Sequence, residues 1–161
     1  MKKIIILGAG QGQIPFIKIC KEKKCYVIVI GRKEHAPGFE LADKVYYIDI
    51  KEKELILDIA KKEKVDAVLS DQSDYAVPTI AYVSEKMGLK SIGYDRALNY
   101  TDKYRMRVHA KLGGINVPRF FKAGEIGILR EGAKKLRYPL MMKPLDSAGS
   151  RGIHKIVSEE G

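Results

Sequence analysis

Residues Lys2–Gln13, "KKIIILGAGQGQ", decide the fold. Lys2–Leu7 is apolar without alternation, the pattern of a strand buried on both faces, and it ends in glycines. A strand that gives way to a glycine turn and then a helix is the opening unit of a parallel α/β sheet. The same residues argue against a secretory leader. The apolar run is short and meets glycines and glutamines before any small-residue cleavage site.

The rhythm continues outward from this stretch. Gln13–Lys23 is expected to be a helix, with Ile14, Ile17, Ile19 and Cys20 on its apolar side and Pro15 tolerated in the first turn. Cys25–Ile30 and Lys44–Ile50 are the next strands, Lys53–Lys64 a helix, and Val65–Ser70 a fourth strand. Tyr75–Met87 is a further helix, with Pro78 early in it and Gly88 at its stop. Strands and helices at this spacing imply a doubly wound parallel sheet.

After "GLKSIG" (Gly88–Gly93) the alternation stops. Asp95–Tyr100 is a helical turn, and Thr101 or Asp102 caps a longer helix that ends at Gly113–Gly114. Ile115–Ala123 is extended, with Pro118 fixing the backbone, and Gly124–Arg137 is helical. Tyr138–Ile156, "YPLMMKPLDSAGSRGIHKI", forms a strand, a glycine- and serine-rich loop and a second strand. This places a domain over residues 1–98 and the beginning of another, incomplete α+β one over 99–161.

Composition narrows the class. With 45% hydrophobic and 31% charged residues the chain is globular, not disordered. No apolar run approaches the roughly 18–20 residues that span a bilayer, so a membrane is not an expected partner. The net charge of +10 invites nucleic acid, but the lysines are mixed with glutamates in "KEKK", "KEKE" and "KKEK", as on solvated faces. No basic stretch is interleaved with aromatics, so nucleic acid is not expected either. Cys20 and Cys25 have no metal-ligand spacing with His35, His109 or His154, and buried thiols of a cytoplasmic protein are the expectation.

Two loops carry candidate chemistry. In "GAGQGQ" (Gly8–Gln13) glycines permit a tight turn, and a helix amino terminus offers N–H groups to an anion. A dinucleotide site would want glycine where Gln13 stands, and an acid after the second strand, where Gly31–Arg32 stand. Arg32 suits the extra phosphate of NADP; a plain connecting turn and a substrate-facing loop are the other readings. After the fourth strand, Asp71, Ser73 and Asp74 lie where open α/β sheets bind ligands, although capping explains Ser73 or Asp74 equally well.

In the last loop, small residues at Ser147, Ala148, Gly149, Ser150 and Gly152 let backbone N–H groups approach phosphates, and Arg151 adds charge. The order of residues is not that of a Walker loop. Lys143, on a strand otherwise made of Leu140, Met141 and Met142, is costly to bury without an anion; a snorkelling lysine is the competing reading.

Taken in order, the doubly wound domain, "TDKYRMRVHAKLGGINVPRF" and "YPLMMKP…SAGSRGI" resemble the ATP-grasp superfamily, specifically the carbamoyl-phosphate-synthase-like ligases. The resemblance covers the whole chain. It implies a Rossmann-like pre-ATP-grasp domain followed by the start of an ATP-grasp domain. Lys103 and Lys143 would hold ATP phosphates, and Ser147–Gly152 would be the loop that closes over them. Gly8, Gly10, Gln11, Asp71 and Asp74 would face the second substrate.

The implied chemistry joins a small-molecule carboxylate to an amine through an acyl phosphate, with ATP and Mg2+. The later part of such ligases supplies the magnesium ligands; Glu159 and Glu160 alone follow the loop here. The chain is therefore expected to be an amino-terminal fragment, inactive by itself, with no catalytic or metal-binding residue of its own. A second copy is the expected partner of its exposed hairpin edge. The competing readings are an NADP- or nucleotide-binding module without ligase activity, and a non-catalytic module acting through protein contacts.

Overall fold

The computed structural model describes residues 1–32 and 36–159; His35 and Glu160, named above, lie outside the described residues. The described chain divides into two compact units, Met1–Ala97 and Leu98–Gly161.

The first unit is a four-stranded parallel sheet in the order β3-β2-β1-β4. Its strands are β1 (Lys3–Leu7), β2 (Tyr26–Gly31), β3 (Lys44–Tyr47) and β4 (Ala67–Leu69). β1 runs beside β2 from Lys3↔Tyr26 to Leu7↔Ile30 and beside β4 from Ile4↔Ala67 to Ile6↔Leu69. Helices cover both faces, which is why β1 from Ile4 to Leu7 and β2 from Val27 to Ile30 are apolar without alternation. Ile5, Leu7, Ile28 and Ile30 pack towards α2 (Lys53–Glu63) and α3 (Val77–Lys86). Ile6, Val27 and Val29 point the other way, onto Ile17 and Cys20 of α1 (Ile14–Glu22). Each such fully buried side chain contributes about 1.5–3 kcal/mol of apolar burial.

A 3-10 turn at Pro37–Leu41 completes the α1 face. Its Gly38 N–H donates to the Ala9 carbonyl at 2.8 Å, and a Cβ there would lie 2.8 Å from Ile17 Cδ1. Only glycine allows this approach. On the other face, α2 and α3 are joined to α4 (Tyr94–Thr101) by Lys53. Its ammonium donates to the Tyr94 hydroxyl at 2.9 Å and stands 4.5 Å and 4.3 Å from the Tyr82 and Tyr94 ring centres. The lysines of "KEKK" and "KKEK" are exposed, as expected of solvated faces, but Lys53 of "KEKE" is half-buried and Glu63 of "KKEK" is buried.

In the second unit α5 (Lys103–Leu112) is capped by Asp102, whose carboxylate accepts from the Arg105 N–H at 2.8 Å. α6 (Ile126–Lys134) packs against Phe121, which lies where a Cβ on Gly132 would be, 2.2 Å from Phe121 Cε2. β5 (Leu140–Met142) and β6 (His154–Ile156) form an antiparallel pair, Leu140 opposite Ile156 and Met142 opposite His154. Every buried hydrophobic side chain among the described residues belongs to the first unit. In the second, Leu112, Ile115, Ile126, Ile128, Met141 and Val157 are all more than half exposed.

The doubly wound sheet agrees with the sequence reading; several boundaries do not. The third strand stops at Tyr47, not Ile50, because the Asp49 carboxylate takes the Lys51 N–H at 3.0 Å and turns the chain. The fourth is only Ala67–Leu69, and the helix expected over Gly124–Arg137 is the shorter α6. Cys20 is buried as expected, but Cys25 is only half-buried, since β2 starts after it.

Candidate substrate edge and phosphate loop

At the carboxyl end of β1 the backbone passes through Gly8 at φ +98 into a 3-10 turn, Gln11–Gln13, and then α1. Gln13 is 8% exposed and both ends of its amide are used. Oε1 accepts from the Gly10 N–H at 3.0 Å while the Gln13 N–H donates to the Gly10 carbonyl at 3.1 Å, a reciprocal cap. Nε2 donates to the Asp71 carbonyl in the loop after β4. That loop is also held by Ser70, whose hydroxyl donates to the Leu7 carbonyl at 2.5 Å. Gln72 takes the left-handed conformation, φ +55, and its Oε1 lies 3.1 Å from where a Cβ on Gly12 would be.

Of the substrate-facing candidates, Gly8, Gly10, Gln11, Asp71 and Asp74 thus lie on two loops that Gln13 and Gln72 bring together. Gln11 and Asp74 are exposed, and Asp71 is half-buried. Ser73 sits at the start of the next turn but makes no capping bond with its side chain. Arg32 reaches Asp49, with Nε 3.1 Å from Oδ2. The Asp49 carboxyl is held below the usual range first by the Lys51 N–H and then by Arg32. Gln13 itself was not among the sequence candidates. It stood out only as a departure from glycine, and its partner is 58 residues away.

In the second unit β5 and β6 present the glycine loop. The loop turns through positive φ at Gly149, Ser150 and Gly152, and the Ser147 hydroxyl donates to the Arg151 carbonyl at 2.9 Å across it. Pro144 lies against Gly152, 2.8 Å from where a Cβ would be. Lys103, the first residue of α5, anchors the loop entry. Its N–H donates to the Leu145 carbonyl at 3.0 Å and its ammonium to the Ser147 carbonyl. Lys143 is not on a strand as expected: β5 ends at Met142 and Lys143 is the first residue beyond it, exposed. No burial cost demands an anion there. Ala148 and Arg151 belong to the same loop.

Glu159 pairs with Lys134 at 3.4 Å. Among the described residues no three His, Cys, Asp or Glu side chains converge as metal ligands, and no helix is long and apolar enough to cross a membrane.

A family model described as PylC-like, N-terminal domain, matches residues 4–92. Over 154 residues the chain is 29% identical to a formate-dependent phosphoribosylglycinamide formyltransferase of Bacteroides fragilis, covering 94% of this chain and 39% of that one. The crystal structure of phosphoribosylglycinamide synthetase from Anaerococcus prevotii superposes with a TM-score of 0.72 at 26% identity, over 99% of this chain and 39% of that one. N5-carboxyaminoimidazole synthetase from Staphylococcus aureus, complexed with ADP, shares the fold at 17% identity and a TM-score of 0.76, over 99% of this chain and 42% of that one. These relatives are ATP-grasp ligases, as the sequence resemblance implied. The chain spans about two fifths of their length and matches their amino-terminal portion.

Proposed function

Because the chain belongs to the PylC-like N-terminal domain family over residues 4–92, we propose that it is the amino-terminal part of an ATP-dependent ligase. The whole protein would join a small-molecule carboxylate to an amine through an acyl phosphate, in the cytoplasm. The observation that carries this reading is the β5–β6 glycine loop with Lys103 at its entry and Lys143 at its mouth, in a chain similar to ATP-grasp ligases across both units.

The charge of the second unit supports it. Residues 98–161 hold thirteen Lys and Arg against six Asp and Glu. A polyphosphate is the natural ligand of such a surface when glycines bring backbone N–H groups within reach. Lys103 positions the loop, Lys143 and Arg151 supply charge, and Ser147–Gly152 supply donors. The edge at Gly8, Gly10, Gln11, Asp71 and Asp74 faces the other substrate. The described residues do not fit a magnesium site, since no three carboxylate, histidine or cysteine side chains converge among them.

The test is a titration of the 15N-labelled chain with a non-hydrolysable ATP analogue. Amide shifts over Ser147–Gly152 that vanish in Lys143→Ala are expected. Saturable shifts confined to Gly8–Gln13, with the last loop unmoved, would replace this reading by a dinucleotide-binding module.

A further inference from the structure

We infer that Gln13 is an internal occupant of the first glycine turn: it fills the place a phosphate would take there and locks the loop after β4 against it. The geometry leaves the amide one orientation. The Gly10 N–H needs an acceptor and the Asp71 carbonyl a donor, so Oε1 faces the first and Nε2 the second. A glycine turn ahead of a helix ordinarily presents its N–H groups to an anion. Here the Gly10 N–H is spent inside the chain. The Gln13 side chain also lies within 3.3 Å of where a Cβ on Gly8 would stand, so the turn is filled as well as capped.

The lock has a second half. Gln13 ties the turn to Asp71, and the left-handed Gln72 places its amide over Gly12. A non-glycine residue in that conformation is disfavoured and persists where its surroundings determine it. The two loops are therefore held as one surface, on which the Gly10 N–H is not free to meet a ligand. On the reading of this edge as substrate-facing, the substrate carries no phosphate at this turn.

Three variants test it in the labelled chain: Gln13→Gly, Gln13→Glu and Gln13→Asn. Protected amides of Ile5, Ile6 and Ile28 establish that each is folded. Gln13→Gly should raise Gly10 amide exchange on the order of tenfold and let inorganic pyrophosphate shift the amides of Gly10–Gln13. Gln13→Glu keeps the acceptor and loses the donor, so Gly10 stays protected while Gln72 and Ser73 exchange faster. Gln13→Asn, too short to reach both partners, should release both. Unchanged Gly10 exchange in Gln13→Gly, or pyrophosphate shifting Gly10–Gln13 in the wild type, overturns the inference. The ATP-analogue shifts at Ser147–Gly152 are read in the same spectra, so loss of the ligase reading would be seen separately.

Discussion

The Tyr46 hydroxyl donates to Glu63 Oε1 at 2.6 Å, joining β3 to the end of α2 at the edge of the sheet opposite the candidate site. The Glu63 side chain is 8% exposed, with the Lys44 ammonium 2.5 Å from the same oxygen and Lys3 3.8 Å from the other. The bonds from Lys44 and then Tyr46 hold its carboxyl below the usual carboxylate range. A buried anion this well partnered is costly to strip of its charge.

Glu63→Gln should therefore lose on the order of 2 kcal/mol in urea unfolding at neutral pH. The folded pKa is depressed, so the stabilisation is present above the unfolded value, about 4.3. It is lost as pH falls through the folded value. The gap between wild type and variant should narrow in acid. A gap of equal size at pH 7 and pH 3 would show that packing, not charge, sets the effect.

Gly38→Ala should destabilise by about 1–3 kcal/mol, because the new methyl meets Ile17 Cδ1 at 2.8 Å and the Ala9 carbonyl oxygen at 2.9 Å. The backbone contact cannot swing aside. Gly124→Ala, where nothing lies within 4 Å, is the matched control and should be neutral or slightly stabilising. Equal thermal midpoints for the two variants would contradict the close approach.

Neither NAD nor NADP should bind more tightly than about 100 µM by calorimetry. The first glycine turn is filled by Gln13, and Arg32, the residue suited to NADP, faces Asp49. Saturable heat with either nucleotide that disappears in Arg32→Ala would reverse this.

Hydrogen exchange should separate the two units. Amides of Ile5, Ile6, Ile28 and Ile30 are in strands whose side chains are fully buried, whereas Leu140–Met142 and His154–Ile156 form a pair with no buried side chain. A lone two-stranded pair is marginal in water. Its amides should exchange orders of magnitude faster than those of the sheet. Equal protection in a dilute monomer would mean that the hairpin is stable on its own.

The sheet was legible because burial on both faces leaves an unbroken apolar run, a local signal. Its ends were not. Ile48 and Ile50 look like strand residues until Asp49 takes the Lys51 N–H. The 3-10 turn at Pro37–Leu41 left no periodic trace, since it depends on Gly38 meeting Ala9 across the fold. The glycine loops were visible as composition, but the role of Gln13 rests on a partner after β4 and that of Lys103 on carbonyls more than forty residues away. Lys143 was misread for a simpler reason: β5 ends with its apolar residues at Met142, which leaves the lysine off the strand.

The Lys53 contact with Tyr82 and Tyr94 has an optical consequence. The chain contains nine tyrosines and no tryptophan, so its near-ultraviolet signal comes almost entirely from tyrosine rings. Tyr82 and Tyr94 meet edge to face at 5.3 Å with a cation against both, an asymmetric setting of the kind that gives a tyrosine a circular dichroism band. When α4 loosens from α2 and α3, that band should fade while the far-ultraviolet signal of the sheet persists. The molecule thus carries an unlabelled spectroscopic reporter at the helix in which its first unit ends, and Lys53→Met should silence it.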